Sequence, residues 1–223
     1  FFNEIDFVFI TGDITYQGQE YSDELIEFLN DILNCLNIEK DKLLIVPGNH
    51  DLKRNQLREF AIEKINESST PYEIIRNFDE DTLESILDAQ DMFYEFYRDL
   101  KGEDYPEDSL HFIKKFDNCN IININTSWMC GLNNEEGKLI LNKKKLLDVL
   151  DQLKDNKKIN IAIGHHAMGC LKPEEKEKVK NLFGDYKVDI YLSGHTHQPD
   201  FYSDVDNVHD LRFFTCGAGV EDK

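Results

Sequence analysis

The sequence lacks the features that would place it in a membrane or in an oxidising compartment. No apolar run reaches the length of a membrane-spanning helix, and no basic segment followed by an apolar one opens the chain. The five cysteines are odd in number and contain no C-x-x-C pair, so a disulfide framework is not expected. These absences predict a protein of the reducing cytoplasm with no membrane partner.

Basic side chains are scarce relative to acidic ones. The 223 residues contain 25 Lys and Arg against 44 Asp and Glu, which gives a formal net charge of −19. Such a surface repels polyanions, so nucleic acid is not an expected partner of this domain alone. A metal site that binds one phosphate group remains compatible with this charge, because bound cations reverse the local field.

Short apolar runs alternate with amphipathic helical patterns along the chain, and its length fits a single domain over 1–223. Continuous apolar runs predict buried strands at 7–10 and 43–46, and Ser22 is placed to cap the helix between them. Later patterns predict strands at 111–115, 120–125, 159–163, 188–192 and 211–215, and helices at 143–153 and 173–183. Alternation of this kind is typical of an α/β fold.

The stretch 52–110 differs from the rest of the chain. It is highly charged and contains two helical patterns, which Ser68, Ser69, Thr70 and Pro71 separate. We expect this stretch to form a helical insertion placed over the active-site end of the sheet.

Four of the predicted strands end in a polar cluster that contains glycine and potential metal ligands. The clusters are Gly12-Asp13, Gly48-Asn49-His50-Asp51, Gly164-His165-His166 and Gly194-His195-Thr196-His197. Open α/β sheets bind their ligands just beyond the carboxyl ends of the strands. Histidines two positions apart on an extended segment point to the same side, and converging imidazoles indicate a transition metal. The four clusters together therefore predict one metal-binding site.

In these motifs, and over nearly its whole length, the chain resembles the calcineurin-like metallophosphoesterase superfamily. The resemblance implies a two-sheet β-sandwich flanked by helices, in the layer order αββα, with a two-metal centre where the strands end. It implies that Asp13 bridges both metals and that Asn49, His165 and His195 complete the second metal site. It assigns His197 to the first metal.

The same resemblance implies a catalytic role for His50, which would contact the phosphoryl oxygen or protonate the leaving group, oriented by Asp51. Mixed nitrogen and oxygen ligands suit Mn, Fe, Zn or Co better than Ca or Mg. Two such divalent or trivalent ions clamp a phosphate and generate hydroxide near neutral pH. The role of His166 stays open between a contact near the metal or the substrate and an ordinary structural one.

One motif of the family is absent. The Asp-x-His pair of an N-terminal strand, which supplies two ligands of the first metal, has no counterpart before Asp13. Either that strand lies outside this chain or the first site is incomplete; in both cases we expect the second site to be the more complete. Gly12-Asp13-Ile14-Thr15 resembles the cyclic-nucleotide phosphodiesterase-like branch, whereas Tyr16 resembles the iron-binding tyrosine of purple acid phosphatases or is structural.

The resulting prediction is a metal-dependent phosphoester hydrolase, and more narrowly a phosphodiesterase that acts on a small phosphoester. Two alternatives stay open. The missing motif favours a degenerate, non-catalytic phosphate- or nucleotide-binding module of a larger protein, fused to further domains. A nuclease domain is the other, although the acidic surface weighs against it.

Overall fold

The computed structural model describes residues 5–16, 18–106, 110–131, 135–153, 157–205 and 210–217. The strands within this part of the chain are Val8–Ile10 (β1), Leu43–Ile45 (β2), His111–Lys115 (β3), Cys119–Ile124 (β4), Ile159–Gly164 (β5), Ile190–Ser193 (β6), Asp200–Val205 (β7) and Asp210–Thr215 (β8). The α-helices are Asp23–Leu36 (α1), Gln56–Glu67 (α2), Pro71–Arg76 (α3), Glu80–Leu87 (α4), Asp91–Lys101 (α5), Lys143–Leu150 (α6) and Pro173–Asp185 (α7). None of the described helices is long and apolar enough to cross a membrane.

The strands form two sheets, as predicted. β1 and β2 make a parallel pair, and the other strands make a six-stranded sheet in the order β3-β4-β5-β6-β8-β7. In the larger sheet β4, β5, β6 and β8 run parallel, whereas β3 and β7 are antiparallel edge strands. The carboxyl ends of β5 and β6 therefore lie at the same end of the larger sheet, which places two of the four motifs side by side.

The two sheets pack face to face through alternate side chains. Leu44 of β2 shares a buried cluster with Ile121 of β4 and Ile163 of β5. The intervening residues Leu43 and Ile45 point the other way, into a cluster with α1 and α5. The outer face of the larger sheet packs on α6 and α7. This arrangement gives the αββα order of layers.

The helices between 52 and 110 do not pack as one unit. Side chains of α2, α3 and α4 form a cluster of their own with Trp128 and Met129, which follow β4. α5 instead packs with α1 on the outer face of the small sheet, where Tyr21 stacks on Phe96 with ring centroids 4.3 Å apart. α5 thus belongs to a layer of the sandwich, and an insertion over the active-site end stays a prediction for α2–α4 alone.

Candidate metal centre

The loops that follow β1 and β2 approach each other closely at two glycines. Gly12 has a φ of +94°, and a Cβ placed on it would lie 2.5 Å from the backbone nitrogen of Gly48. A Cβ on Gly48 would lie 2.2 Å from Oδ1 of Asp13. Any side chain at either position would push the loops apart, so both glycines are required for the position of Asp13 beside the second loop.

Four of the five predicted metal ligands converge at this end of the sandwich. Nε2 of His165 lies 2.9 Å from Oδ1 of Asn49, 3.2 Å from Nδ1 of His195 and 3.3 Å from Oδ2 of Asp13. Oδ1 of Asn49 is also 3.2 Å from Nδ1 of His195. Two ligand atoms that each lie about 2.0–2.2 Å from one ion at tetrahedral angles are about 3.3–3.6 Å apart, which is close to these separations. The four side chains are thus arranged as the ligands of one metal ion would be.

The protonation of His165 supports the same interpretation. Its Nδ1 lies 2.6 Å from the carbonyl oxygen of Thr11, which can only accept a hydrogen bond, so Nδ1 carries the proton. In the neutral ring Nε2 then presents a lone pair to the oxygens of Asn49 and Asp13, which are acceptors themselves. A metal ion placed among these atoms would accept the lone pairs of all of them at once.

The shifted pKa values of His195 and Asp13 favour the protonation states that bind a metal. Burial, followed by the nearby charge of His165, lowers the pKa of His195 to about 4, so this imidazole is neutral at pH 7. Burial acts to raise the pKa of Asp13, but its hydrogen bond and charge interaction with His165 outweigh that effect and the pKa is lowered. An anionic carboxylate and a neutral imidazole are the forms that bind a transition metal.

His197 is the predicted ligand that the structure leaves apart. Its side chain is exposed, and no hydrogen bond or ion pair joins it to the other four ligands within the described residues. It nevertheless lies near enough to His195 to contribute to the lowered pKa of that residue. Asp13, His195 and His197 have positive φ values of 58°, 70° and 57°, in the left-handed region that few non-glycine residues adopt.

Asp51 does not orient His50, and this part of the sequence prediction is wrong. Its fully buried carboxylate accepts five hydrogen bonds, from the hydroxyl of Tyr21 and from the backbone N–H groups of Asp13, Ile14, Thr15 and Gly48. Burial raises the pKa of Asp51, whereas these donors act in the opposite direction. The side chain turns inward and ties the loop after β1 to the loop after β2, so it supports the metal ligands rather than the proposed acid.

His50 lies at the rim of the ligand cluster. Its backbone N–H donates to Oδ1 of Asp13 over 2.9 Å, and its ring stacks on Tyr16 with centroids 5.2 Å apart. Nδ1 of His50 is buried and has no hydrogen-bond partner in the described structure. The Tyr16 side chain is 57% exposed, so one face of this aromatic pair is open to a ligand.

Sequence reasoning missed several supporting residues. Tyr21 and Thr11 carry no spacing signal, because their partners lie 30 and 154 residues away. Cys130 was not singled out, yet its Sγ lies 3.7 Å from Nε2 of His166. Cys170 is also buried, whereas Cys216 is exposed.

The model of the family described as calcineurin-like phosphoesterase matches residues 1–199. The chain belongs to the calcineurin-like phosphoesterase family, and this membership implies a dinuclear metal centre.

Two curated relatives are longer than this chain. The uncharacterized metallophosphoesterase-like protein YydB of Bacillus subtilis (strain 168) is 36% identical over 203 residues, which are 89% of this chain and 42% of that protein. Purple acid phosphatase 17 of Arabidopsis thaliana is 24% identical over 228 residues, covering 97% of this chain and 59% of that protein. The chain thus spans about half the length of these relatives.

A solved structure confirms the fold. The purple acid phosphatase PPD1 from yellow lupin seeds aligns with a TM-score of 0.57 at 15% identity, over 96% of this chain and 37% of that chain. This likeness shows the metallophosphoesterase fold and, at such low identity, nothing about the substrate.

Proposed function

We propose that this chain forms the second-metal half of a dinuclear phosphoesterase centre and that the complete centre hydrolyses phosphodiesters. The convergence of Asp13, Asn49, His165 and His195 around Nε2 of His165, at 2.9–3.3 Å, carries the proposal. Two carboxylate or amide oxygens and two imidazole nitrogens form a donor set that Mn, Fe, Zn or Co accepts.

Each residue has a proposed role. Asp13 bridges the two metal positions, Asn49, His165 and His195 hold the second, and His197 belongs to the first. Metal ions in such a centre neutralise charge on the phosphoryl oxygens and lower the pKa of water. Asp51 holds the two loops together through its five hydrogen bonds, so that Asp13 and Asn49 keep their mutual position.

His50 is proposed to meet the substrate. It lies beside Asp13 without contacting the metal-facing atoms of the other ligands, and its ring is held by the stacked Tyr16. A histidine in this position can donate a proton to the leaving oxygen or a hydrogen bond to the phosphoryl group near neutral pH. Tyr16 then borders the space that a leaving group would occupy.

We propose that the first metal takes further ligands from a strand with the Asp-x-His motif, which residues 1–223 lack, and the free edge of β1 supports this. β1 pairs with β2 on one side, and no described strand pairs with its other edge. Phe201 and Phe214, 57% and 38% exposed, extend the inner face of the larger sheet beyond Leu192. A further strand with the Asp-x-His motif, added to β1, would cover these rings.

A non-catalytic phosphate- or nucleotide-binding module is the second candidate, because Asp-x-His is absent from the chain. Metal-loaded protein extended by the native upstream residues is assayed with bis(p-nitrophenyl) phosphate, p-nitrophenyl phosphate and single-stranded DNA. We expect hydrolysis of the diester, dependent on added metal and lost in His195→Ala. Metal binding without hydrolysis of any ester contradicts the enzyme and favours the binding module. Preference for the monoester contradicts the diesterase, whereas preference for the DNA favours a nuclease over an enzyme for small diesters.

A further inference from the structure

A second group of metal-ligating side chains lies behind the candidate metal centre, and the proposed function does not use it. It consists of Cys130, Glu135 and His166, and we refer to it as the buried triad. All three residues are buried, and their ligand atoms lie within 4.8 Å of one another. Cys130 and Glu135 come from the segment after β4, and His166 comes from the end of β5.

The hydrogen bonds of His166 turn it away from the dinuclear centre. Its ring packs against those of His165 and His195, with centroids 4.6 Å away in both cases. However, Nδ1 lies 2.9 Å from Oγ1 of Thr126 and Nε2 lies 3.7 Å from Sγ of Cys130. Both ring nitrogens thus have hydrogen-bond partners that follow β4, although a ligand atom of His166 also lies within 4.8 Å of those of His165 and His195.

The sulfur-to-nitrogen separation in the buried triad fits two ligands of a tetrahedral zinc ion. Zn–S bonds of about 2.3 Å and Zn–N bonds of about 2.0–2.1 Å place sulfur and nitrogen about 3.6 Å apart. The observed separation between Sγ of Cys130 and Nε2 of His166 is 3.7 Å. A proton on Nδ1 can be donated to the hydroxyl of Thr126, which leaves Nε2 as a free ligand and fixes the ring as outer partners of metal ligands do.

The charge of the buried triad also fits a cation. Burial and the adjacent Glu135 raise the pKa of the Cys130 thiol well above its usual value, because a second anion beside a carboxylate is unfavourable. Arg58 offsets part of the charge of Glu135, but its guanidinium donates to the carbonyl oxygens of Ile86, Trp128 and Cys130. A divalent ion would displace the thiol proton and pair with both acidic groups at once.

We propose that Cys130, Glu135 and His166 bind a structural Zn²⁺ ion, separate from the dinuclear centre. Cys170, four residues after His166, is also buried, and its charge contributes to the raised pKa of Cys130. The ion would tie the segment after β4 to the end of β5. Since His165 precedes His166 directly, it would also hold the backbone that presents His165 to the metal centre.

The test measures metal binding rather than activity, in the purified chain. Co²⁺ is titrated into the wild-type protein and into His195→Ala, Cys130→Ser and Cys119→Ser. Cys119 is a matched control, because it is a buried cysteine at the start of β4, outside the buried triad. We expect a near-ultraviolet thiolate-to-cobalt charge-transfer band in wild type, His195→Ala and Cys119→Ser, and its loss in Cys130→Ser.

A second variant covers the case in which Cys130→Ser does not fold. Thr126→Val keeps the side-chain shape and removes the hydroxyl next to Nδ1 of His166. Thr126→Val is introduced into the His195→Ala protein, and the dissociation constant for Zn²⁺ is measured in competition with a chromophoric chelator. We expect this constant to be about 10- to 100-fold higher than in His195→Ala alone. Absence of the band from wild type, a band that survives in Cys130→Ser, or an unchanged Zn²⁺ affinity in Thr126→Val would overturn the proposal, whatever the dinuclear centre proves to do.

Discussion

The two sides of the candidate dinuclear centre differ in how far this chain builds them. On the second-metal side, Asp13, Asn49, His165 and His195 come from both sheets and already lie at ligand-to-ligand distances. On the proposed first-metal side, the residues assigned within the described part of the chain are Asp13 and the exposed His197. The packing of loops from both sheets therefore suffices to bring the four proposed second-metal ligands together in the described structure.

The largest expected effect is that of removing a second-metal ligand. His195→Ala should abolish tight metal binding at the centre and, in a chain with the first-metal ligands present, all hydrolysis, because the remaining donors no longer surround one ion. Metal analysis after gel filtration measures the loss relative to wild type. Retention of the same metal content in His195→Ala, apart from any metal that depends on Cys130, would contradict the assigned ligand set.

The next largest effect concerns His50. General acid catalysis contributes about 10²–10⁴-fold, so His50→Ala should lower turnover of an alkyl phosphodiester by about that factor while metal content stays unchanged. The loss should shrink for a nitrophenyl ester, whose leaving group hardly needs a proton. Loss of metal from His50→Ala would be incompatible with either proposed role, and an equal loss of turnover for both esters would assign His50 to the phosphoryl group instead of the leaving oxygen.

Asp51 should affect stability and metal binding together. Asp51→Asn replaces an acceptor of five hydrogen bonds with an amide that faces backbone donors, which should cost about 3 kcal/mol in the free energy of unfolding. Tyr21→Phe removes one of these bonds and should cost about 1.5 kcal/mol. Urea unfolding of both variants checks the order, and an Asp51→Asn variant as stable as wild type would show that the carboxylate does not hold the loops.

The smallest effect is expected for His197. His197→Ala should leave metal retention by residues 1–223 within about twofold of wild type, because its exposed side chain lies outside the cluster around His165. In a chain with the first-metal ligands restored, the same change should remove one metal equivalent. If His197→Ala and His195→Ala lose metal equally in residues 1–223, the asymmetry between the two sides does not exist.

Much of the site could be predicted from local pattern, because a continuous apolar run followed by glycine and a ligand residue is a feature of consecutive residues. β1, β2 and β5 end at or within one residue of the predicted positions, and Asp13, Asn49 and His165 follow these ends. β7 was not predicted, because Asp200, Ser203 and Asp204 interrupt any apolar alternation in this edge strand. A location in the cytoplasm and fusion to further domains stay predictions.

The sequence by itself determined the α/β pattern and the strand ends that carry potential ligands, because these depend on neighbouring residues and on spacing. The αββα layers and the role of each ligand were implied by the family resemblance that the same motifs carry. Only the tertiary structure decided which side chains meet. Asp51 turned out to bind backbone N–H groups 36–38 residues away instead of His50, and Cys130 lies beside His166 across 36 residues of chain. Such contacts depend on how two sheets and their loops pack in space, and no local periodicity encodes that distance.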